Sequence, residues 1–548
     1  MGKMPTVSMR ARMLNATSRT GTRQAVLRAA VGCCALALAL AAIAPALAAD
    51  TLIEISHDIY TNSASQHQSQ VEPDTLAIGS TIVSAFQSGR YFNGGSSNIG
   101  FATSTDDGAT WTHGFLNHST KRSTQPGPYD RASDASVAFD AKHNVWMISW
   151  LGIRTPDPTN EGSFRVDVLV TRSTNGGLNW GPPVVVNPNP GASFLDKNWS
   201  VCDNTPSSPF FGNCYTQFDD TNRNDLMEVS TSIDGGQSWG TPRTTADPPD
   251  GFSIPAGTNG AHGLGGQPLV QPDGRLVVPY VGFDVFFNPN LTFAESISSF
   301  VSVDGGNSLS ASSLVAGADS QAPRGNLRAA TPLPSAEIDH AGKIYLAWQD
   351  CRFEPQCNDN DIVFSTSTTG IQWSAVHRIP LDAVGSGRDH FLPGLGVDRN
   401  SSGTGAHLAL VYYFYPNGNC TVSTCQLEVG FASSRNGGSS WSPHETLAGP
   451  MHVSWLPNTN QGFMVGDYFS TSIPAGTSTA VPVFEVASPP TGSKLNQPTF
   501  AIQEDVVAGS ALAAEVAVGA EPVLGSIPKP AASIGGRPVV IPKLPILI

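Results

Sequence analysis

Charge is scarce in this sequence of 548 residues: Asp, Glu, Lys and Arg together make up 14%, and the basic residues are the minority, 30 against 44 acidic. A hydrophobic content of 40% excludes a disordered acidic polymer and leaves enough apolar side chains for a large core. The formal net charge of −14 excludes nucleic acid as a partner, although a local basic pocket can still hold a single carboxylate. Long apolar runs are almost missing. The one present, Val31 to Ile43, is too short to cross a bilayer comfortably. It follows Arg10, Arg12, Arg19, Arg23 and Arg28 and precedes Ala46-Leu47-Ala48, which reads as a signal peptide over residues 1–48 rather than a single-pass anchor. The expected mature chain starts at Ala49, is secreted (extracellular or periplasmic), and makes no stable membrane insertion. No phosphate loop or HExxH is present, so the common nucleotide and zinc-protease signatures are excluded.

Cysteine is sparse and paired. Cys33 and Cys34 fall in the leader, and the other six stand as Cys202 with Cys214, Cys351 with Cys357, and Cys420 with Cys425. Export and this spacing predict three local disulfides, while the lack of CxxC spacing and of accompanying histidines speaks against zinc.

What the sequence does have is a repeat. Six segments fit Ser-x-Asp-x-Gly-x-Thr-Trp: Ser104 to Trp111, Ser173 to Trp180, Ser232 to Trp239, Ser302 to Leu309, Thr366 to Trp373 and Ser434 to Trp441. A glycine holds the same place in each, where a turn needs positive φ, and the residue two places earlier can accept backbone N–H bonds. Asp106, Asp234 and Asp304 keep the carboxylate; Asn175 and Asn436 replace it with an amide, and Thr368 is the poorest substitute. Short strand-like runs surround each copy, as in Ala135 to Phe139, Val145 to Trp150, Val166 to Val170 and Val184 to Val186. The expectation is an all-β propeller of four-stranded blades over residues 49–505. Runs at 466–473, 480–486 and 498–503, completed by Thr51 to Ser56, would close it as a seventh blade; six blades with a strand-rich appendage is the alternative. Residues 506–548, rich in Ala, Val, Pro and Gly, read as a flexible tail.

The six boxes on a four-strand repeat resemble the sialidase (neuraminidase) superfamily, the Asp-box or BNR-repeat propellers, over roughly residues 51–503. The resemblance implies a glycoside hydrolase acting on terminal, acidic sugars, of exo-α-sialidase type, with a glycan or glycoconjugate as partner. A non-catalytic glycan- or protein-binding propeller with a degenerate site is the alternative. It also implies that the boxes lie opposite the active face, which is built from first-strand entries and second-to-third-strand loops. Tyr468, in Asp467-Tyr-Phe-Ser-Thr-Ser472, resembles the family's nucleophilic tyrosine strand, and a tyrosine needs a neighbouring carboxylate to take its proton.

The strand entries collect the chain's rare charges. Glu72, Asp74 and Asp134 are candidate carboxylates for glycosidic chemistry beside Tyr468, and Arg90, Arg131, Lys197, His262, Arg328 and Arg388 are candidate substrate-binding groups. Mutual pairing of these charges is the competing reading. The family's Phe-Arg-Ile-Pro motif is absent; Val71-Glu72-Pro73-Asp74 occupies its place, Asn98 stands where the acid/base Asp is expected, and Gln267 where the family has Glu. No cofactor and no metal ligand are expected, with one weak signal for structural calcium: Asp220-Thr-Asn222-Arg-Asn224-Asp225 opens like a calcium loop but lacks its sixth-place Gly and twelfth-place Glu, so a polar turn is favoured.

Overall fold

The computed structural model describes residues 51–155, 164–188, 191, 193–249, 257–284, 294–510 and 515–516. The segment read as a signal peptide, 1–48, and most of the stretch read as a flexible tail, 506–548, lie outside these residues. Among those described there is no α-helix, only short 3-10 turns, and no helix is long and apolar enough to cross a membrane.

Six antiparallel sheets follow one plan. The first is built from Gln66–Ile78, Thr81–Arg90, Ser96–Ser104 and Thr112–Phe115, and the second from Arg131–Asp140, Val145–Arg154, Arg165–Ser173 and Val184–Val185. The third starts at Leu195–Cys202, the fourth at Gly263–Leu264 and Leu269–Val270, the fifth at Ser335–Ile338 and the sixth at Asp389–Val397. A closing sheet joins both ends of the chain: Ser470–Ser472, Thr479–Glu485 and Thr499–Ala501 run inward to outward, and Ile53–Glu54 is its outer strand, with Ile53 opposite Ala501. The first strands pack side by side in chain order, and Ser470–Ser472 lies between Asp389–Val397 and Gln66–Ile78. The result is a β-propeller, in which radial repetition leaves short, protected sheet edges.

Apolar side chains fill the seams between neighbouring sheets. Phe218, Val168 and Leu151 share one such cluster, and Ile55, Ile82, Phe86 and Val483 share the one that joins the closing sheet to the first. Burial of Ile55 in this seam binds the N-terminal strand to the ring at about 1.5–3 kcal/mol for the side chain.

The repeated boxes lock these seams. In the first, Ser104 Oγ donates to Asp106 Oδ1 (2.8 Å) and accepts from Gly108 N (2.9 Å), while Thr110 N and Oγ1 donate to the Asp106 carboxylate at 2.9 and 2.6 Å. Asp234 and Asp304 repeat the arrangement, and Asn175 and Asn436 accept the same backbone bond. The glycine of each box leans on the preceding sheet: a Cβ on Gly177 (φ 78°) would stand 2.5 Å from Val83 Cγ2. Gly108 meets Val481 of the closing sheet in the same manner.

The fifth box departs from the expected register. There Ser367 Oγ accepts from Gly370 N (2.8 Å), and Thr369 Oγ1 accepts from Ile371 N and Gln372 N. Thr366 and Thr368, aligned by sequence, do not cap the turn, because the hydroxyls one residue on reach the same N–H groups. All three disulfides are formed, Cys202–Cys214, Cys351–Cys357 and Cys420–Cys425. At the start of the tail, Val506 is fully buried, its N–H donates to Ser478 O, and its carbonyl accepts from Arg435 Nε. Residues 515–516 pair antiparallel with His377 and Arg378.

Candidate functional site on the propeller axis

A backbone irregularity recurs in the first strands and aims charge at the axis. Pairing slips between Val71 and Asp74, between Ser133 and Ser136, between Asp196 and Trp199, and between Phe391 and Pro393. Within the slips Glu72, Asp134, Lys197 and Leu392 take φ of 57°, 47°, 46° and 52°. A bulge with a left-handed, non-glycine residue costs about 1 kcal/mol or more, and it re-aims the side chain out of the pleat. Three of the four residues so turned are charged.

They meet the closing sheet. Lys197 Nζ lies 2.6 Å from Asp467 Oδ2, 3.3 Å from Asp134 Oδ2 and 3.7 Å from Glu72 Oε1. Arg328 grips Asp467 with two bonds, Nε to Oδ1 at 2.8 Å and Nη2 to Oδ2 at 2.5 Å. Asp467 N donates to Glu72 Oε1 (3.2 Å), Gln87 Nε2 donates to Glu72 Oε2, and Arg90 Nη1 donates to Gln87 Oε1 (3.0 Å). The whole cluster is buried, with Glu72 at 1% and Lys197 at 3% exposure.

Burial and these partners split the carboxyl groups. Desolvation pushes Glu72 up to about 8 despite the pull of Lys197, with Asp134 and Asp467 adding to the rise. Asp467 is desolvated too, but Arg328 and Lys197 outweigh that and hold it well below the usual carboxylate range. Desolvation and Arg328 bring Arg90 down to about 10. The surroundings therefore drive two carboxyl groups beside one ammonium in opposite directions, Glu72 up and Asp467 down.

Of the residues singled out in the sequence, Glu72, Asp134, Lys197, Arg90, Arg328 and Tyr468 are brought to this cluster. The Tyr468 ring stands edge-on to Trp199 at 5.0 Å, and its hydroxyl donates to the Ala135 carbonyl (3.2 Å) rather than to a carboxylate. Desolvation, then Glu72 and Asp134, push its ionisation well above the ordinary value. Asp74 lies one pairing further along its strand; its Oδ2 accepts from Val137 N (2.7 Å), tying the first two sheets, and burial brings it up to about 7. Arg131 is elsewhere: Nη1 donates to Asn93 Oδ1 and Gly94 O, and the guanidinium lies 4.1 Å from the Tyr91 ring centre. Arg388 lies 6.0 Å over Phe414 in the sixth sheet, and His262 Nδ1 bonds the Asn224 carbonyl (2.7 Å). Asn98 holds a loop, donating to Tyr60 Oη and Leu116 O, and Gln267 Oε1 accepts from Ala336 N across the fourth and fifth sheets. The calcium-like stretch is a 3-10 turn, Thr221–Arg223, capped by Asp220.

Two members of the cluster were not among the candidates: Asp467, whose adjacency to Tyr468 was the available signal, and Gln87, for which the sequence offers none. A second acidic group lies beside it. Asp196 faces Asp219 across the third sheet, and burial raises Asp196 to about 7, with Asp134 next in effect.

A strap borders the cluster. From Val453 to Gly466 the chain leaves the sixth sheet and crosses to the first and fifth. Gln66 and Asn458 exchange two bonds (2.8 and 2.9 Å), Asn460 N donates to Phe92 O, and Phe463 bonds both Asn326 O and Arg328 N.

No family model and no curated protein sequence matches this chain. Among solved structures it is similar to a leech intramolecular trans-sialidase (14% identity, 66% of this chain and 67% of that one, TM-score 0.40). It is similar also to the NanB sialidase of Streptococcus pneumoniae (15%, 85% and 72%, TM-score 0.40) and to an ulvan lyase of a polysaccharide lyase family (9%, 83% and 96%, TM-score 0.45).

Proposed function

We propose that this chain is a secreted, sialidase-like glycoside hydrolase acting on a terminal acidic sugar, with the closing sheet as a seventh blade and the axial cluster as its site. The observation that carries this reading is the convergence of Glu72 and Asp467 on Lys197, 3.7 and 2.6 Å from its Nζ, in surroundings that push the first carboxyl up and the second down. Two carboxyls whose surroundings drive their pKa values apart are the arrangement that acid–base chemistry on a glycosidic bond uses. Glu72 is the proton donor to the leaving oxygen. Asp467 stays ionised and stabilises positive charge developing at the sugar carbon. Arg90, Arg328 and Lys197 supply the positive field for the sugar's own carboxylate. In this reading Tyr468 is a positioning residue that packs the Trp199 face. The three disulfides and the leader at 1–48 support export.

A second reading, a non-catalytic glycan-binding propeller, is favoured by one specific observation: Arg328 is already closed on Asp467 by two bonds, while Arg131 and Arg388 lie apart from it. Fluorogenic sialosides and an acidic-glycan array separate the two. The hydrolase reading expects turnover that Glu72→Gln abolishes and Tyr468→Phe keeps. Array binding with no turnover by the wild type sinks it in favour of the second.

A further inference from the structure

Away from the axis, a histidine and two carboxylates converge where the fifth and sixth sheets meet. Asp361 opens the strand Asp361–Ser367, Asp382 lies in the connection between the two sheets, and His390 is the second residue of Asp389–Val397. One ligand atom from each lies within 4.8 Å of the others. His390 is 1% exposed, and its ring is held between Tyr412, edge-on at 5.5 Å, and Phe414, stacked at 5.9 Å.

The tautomer of His390 follows from its partners. Nδ1 stands 3.3 Å from the Asn360 carbonyl, which can only accept, so Nδ1 carries the proton. In the neutral ring Nε2 then presents a lone pair, and it has no hydrogen-bond partner. What faces it, at 4.0 Å, is Asp382 Oδ2, another electron-rich atom. That gap is too long for a hydrogen bond. Two ligands of one tetrahedral zinc, at about 2.0–2.1 and 2.0–2.2 Å from it, stand about 3.4 Å apart, so a shared ion needs the pair to close by only about half an ångström.

We propose that Asp361, Asp382 and His390 bind a divalent transition-metal ion, for which zinc is the probe, clamping the fifth sheet to the sixth. Three protein ligands leave an open coordination position for water. Arg378 supports rather than fills the site: its Nε lies 2.7 Å from Asp361 Oδ2 and its Nη2 2.7 Å from Asp382 Oδ1, while Asp382 Oδ2, which accepts from Ser386 Oγ, keeps a further lone pair on the side of the histidine. Glu354 Oε1, 3.9 Å from the same guanidinium, places a third carboxyl group around Arg378. An outer cation that orients ligating carboxylates acts as a second shell does in other metal centres.

The test uses the untagged full-length secreted protein, stripped with chelator and dialysed. Zinc titrated by calorimetry and by metal analysis is expected to fill one site, to raise the melting temperature, and to do neither in His390→Gln or Asp382→Asn. His67 and His143 sit beside Asp58 and Asp140 at 2.9 and 2.6 Å, so His67→Gln and His143→Gln serve as controls that keep the uptake. Absence of zinc uptake by the wild type, or uptake unchanged in both ligand variants, overturns the site. Should the ligand variants fail to fold, cobalt(II) loading of the wild type decides: visible d–d bands with one imidazole ligand support the site, and the spectrum of free aqueous cobalt rejects it.

Discussion

Lys197 Nζ and Asp467 Oδ2 lie 2.6 Å apart across 270 residues of chain, one from the third sheet and one from the approach to the closing sheet. Removing the ammonium leaves Glu72, Asp134 and Asp467 facing one another without it. Lys197→Met is expected to destabilise the fold by about 3–5 kcal/mol, the range for breaking a buried pair from one side. Denaturant unfolding of the variant beside the wild type measures it, and a loss under 1 kcal/mol would show that the carboxylates relax apart.

Glu72 predicts a pH dependence with a definite sign. Its folded-state pKa of about 8 lies above the ordinary 4.5, so the acid form is the one the fold favours. Its contribution to stability is complete below about pH 4.5 and is lost as the pH rises through about 8. Between pH 5 and 8.5 the wild type should lose more stability than Glu72→Gln, whose amide does not titrate. Denaturation midpoints at the two pH values give the comparison, and parallel losses would remove Glu72 as the cause.

How much of this was legible beforehand varies with the kind of signal. The boxes and their flanking strands were readable because a repeated turn must repeat its glycine, and strand runs must alternate with it. Even the outer strand of the closing sheet, Ile53–Glu54, showed as a short run with no other partner. The axial aim of Glu72, Asp134 and Lys197 was not readable as geometry: their left-handed bulges use residues that ordinarily avoid positive φ, so nothing in residue type announces them. Arg131 looked equivalent to Arg328 at a strand entry, yet Asn93 and Tyr91 at the neighbouring sheet's edge capture it.

The fifth box tests that distinction directly. Ser367→Ala removes the acceptor of Gly370 N–H and is expected to cost about 1 kcal/mol, whereas Thr368→Ala should be close to neutral. Thermal melts of the two variants check it; the reverse order would restore the register suggested by sequence alignment.

The strap yields a prediction about local opening. The exposed side-chain amide of Gln66 ties it to the first sheet, donating to the Asn458 backbone carbonyl and accepting from the Asn458 backbone N–H. Gln66→Ala removes both bonds and should speed amide hydrogen exchange across residues 453–466 by several-fold while leaving the Asp389–Val397 strand protected. Equal acceleration in both would mean that global stability fell instead.

The Cys202–Cys214 bond joins facing residues of the third sheet's first two strands, 12 positions apart. Its double replacement by serine is expected to cost about 2–3 kcal/mol, read by unfolding under non-reducing conditions.

The pairing of Ile53 with Ala501 also sets an order of events. A ring fastened by strands far apart in its chain has no complete circumference until the closing sheet is made, so the first and sixth sheets each wait with one neighbour missing. Gly108 of the first box finds its resting place on Val481 only at that moment. Closure of this kind couples seams that a linear stack of repeats would settle one at a time, and the most sequence-distant contact becomes the step on which the cooperativity of the whole circle depends.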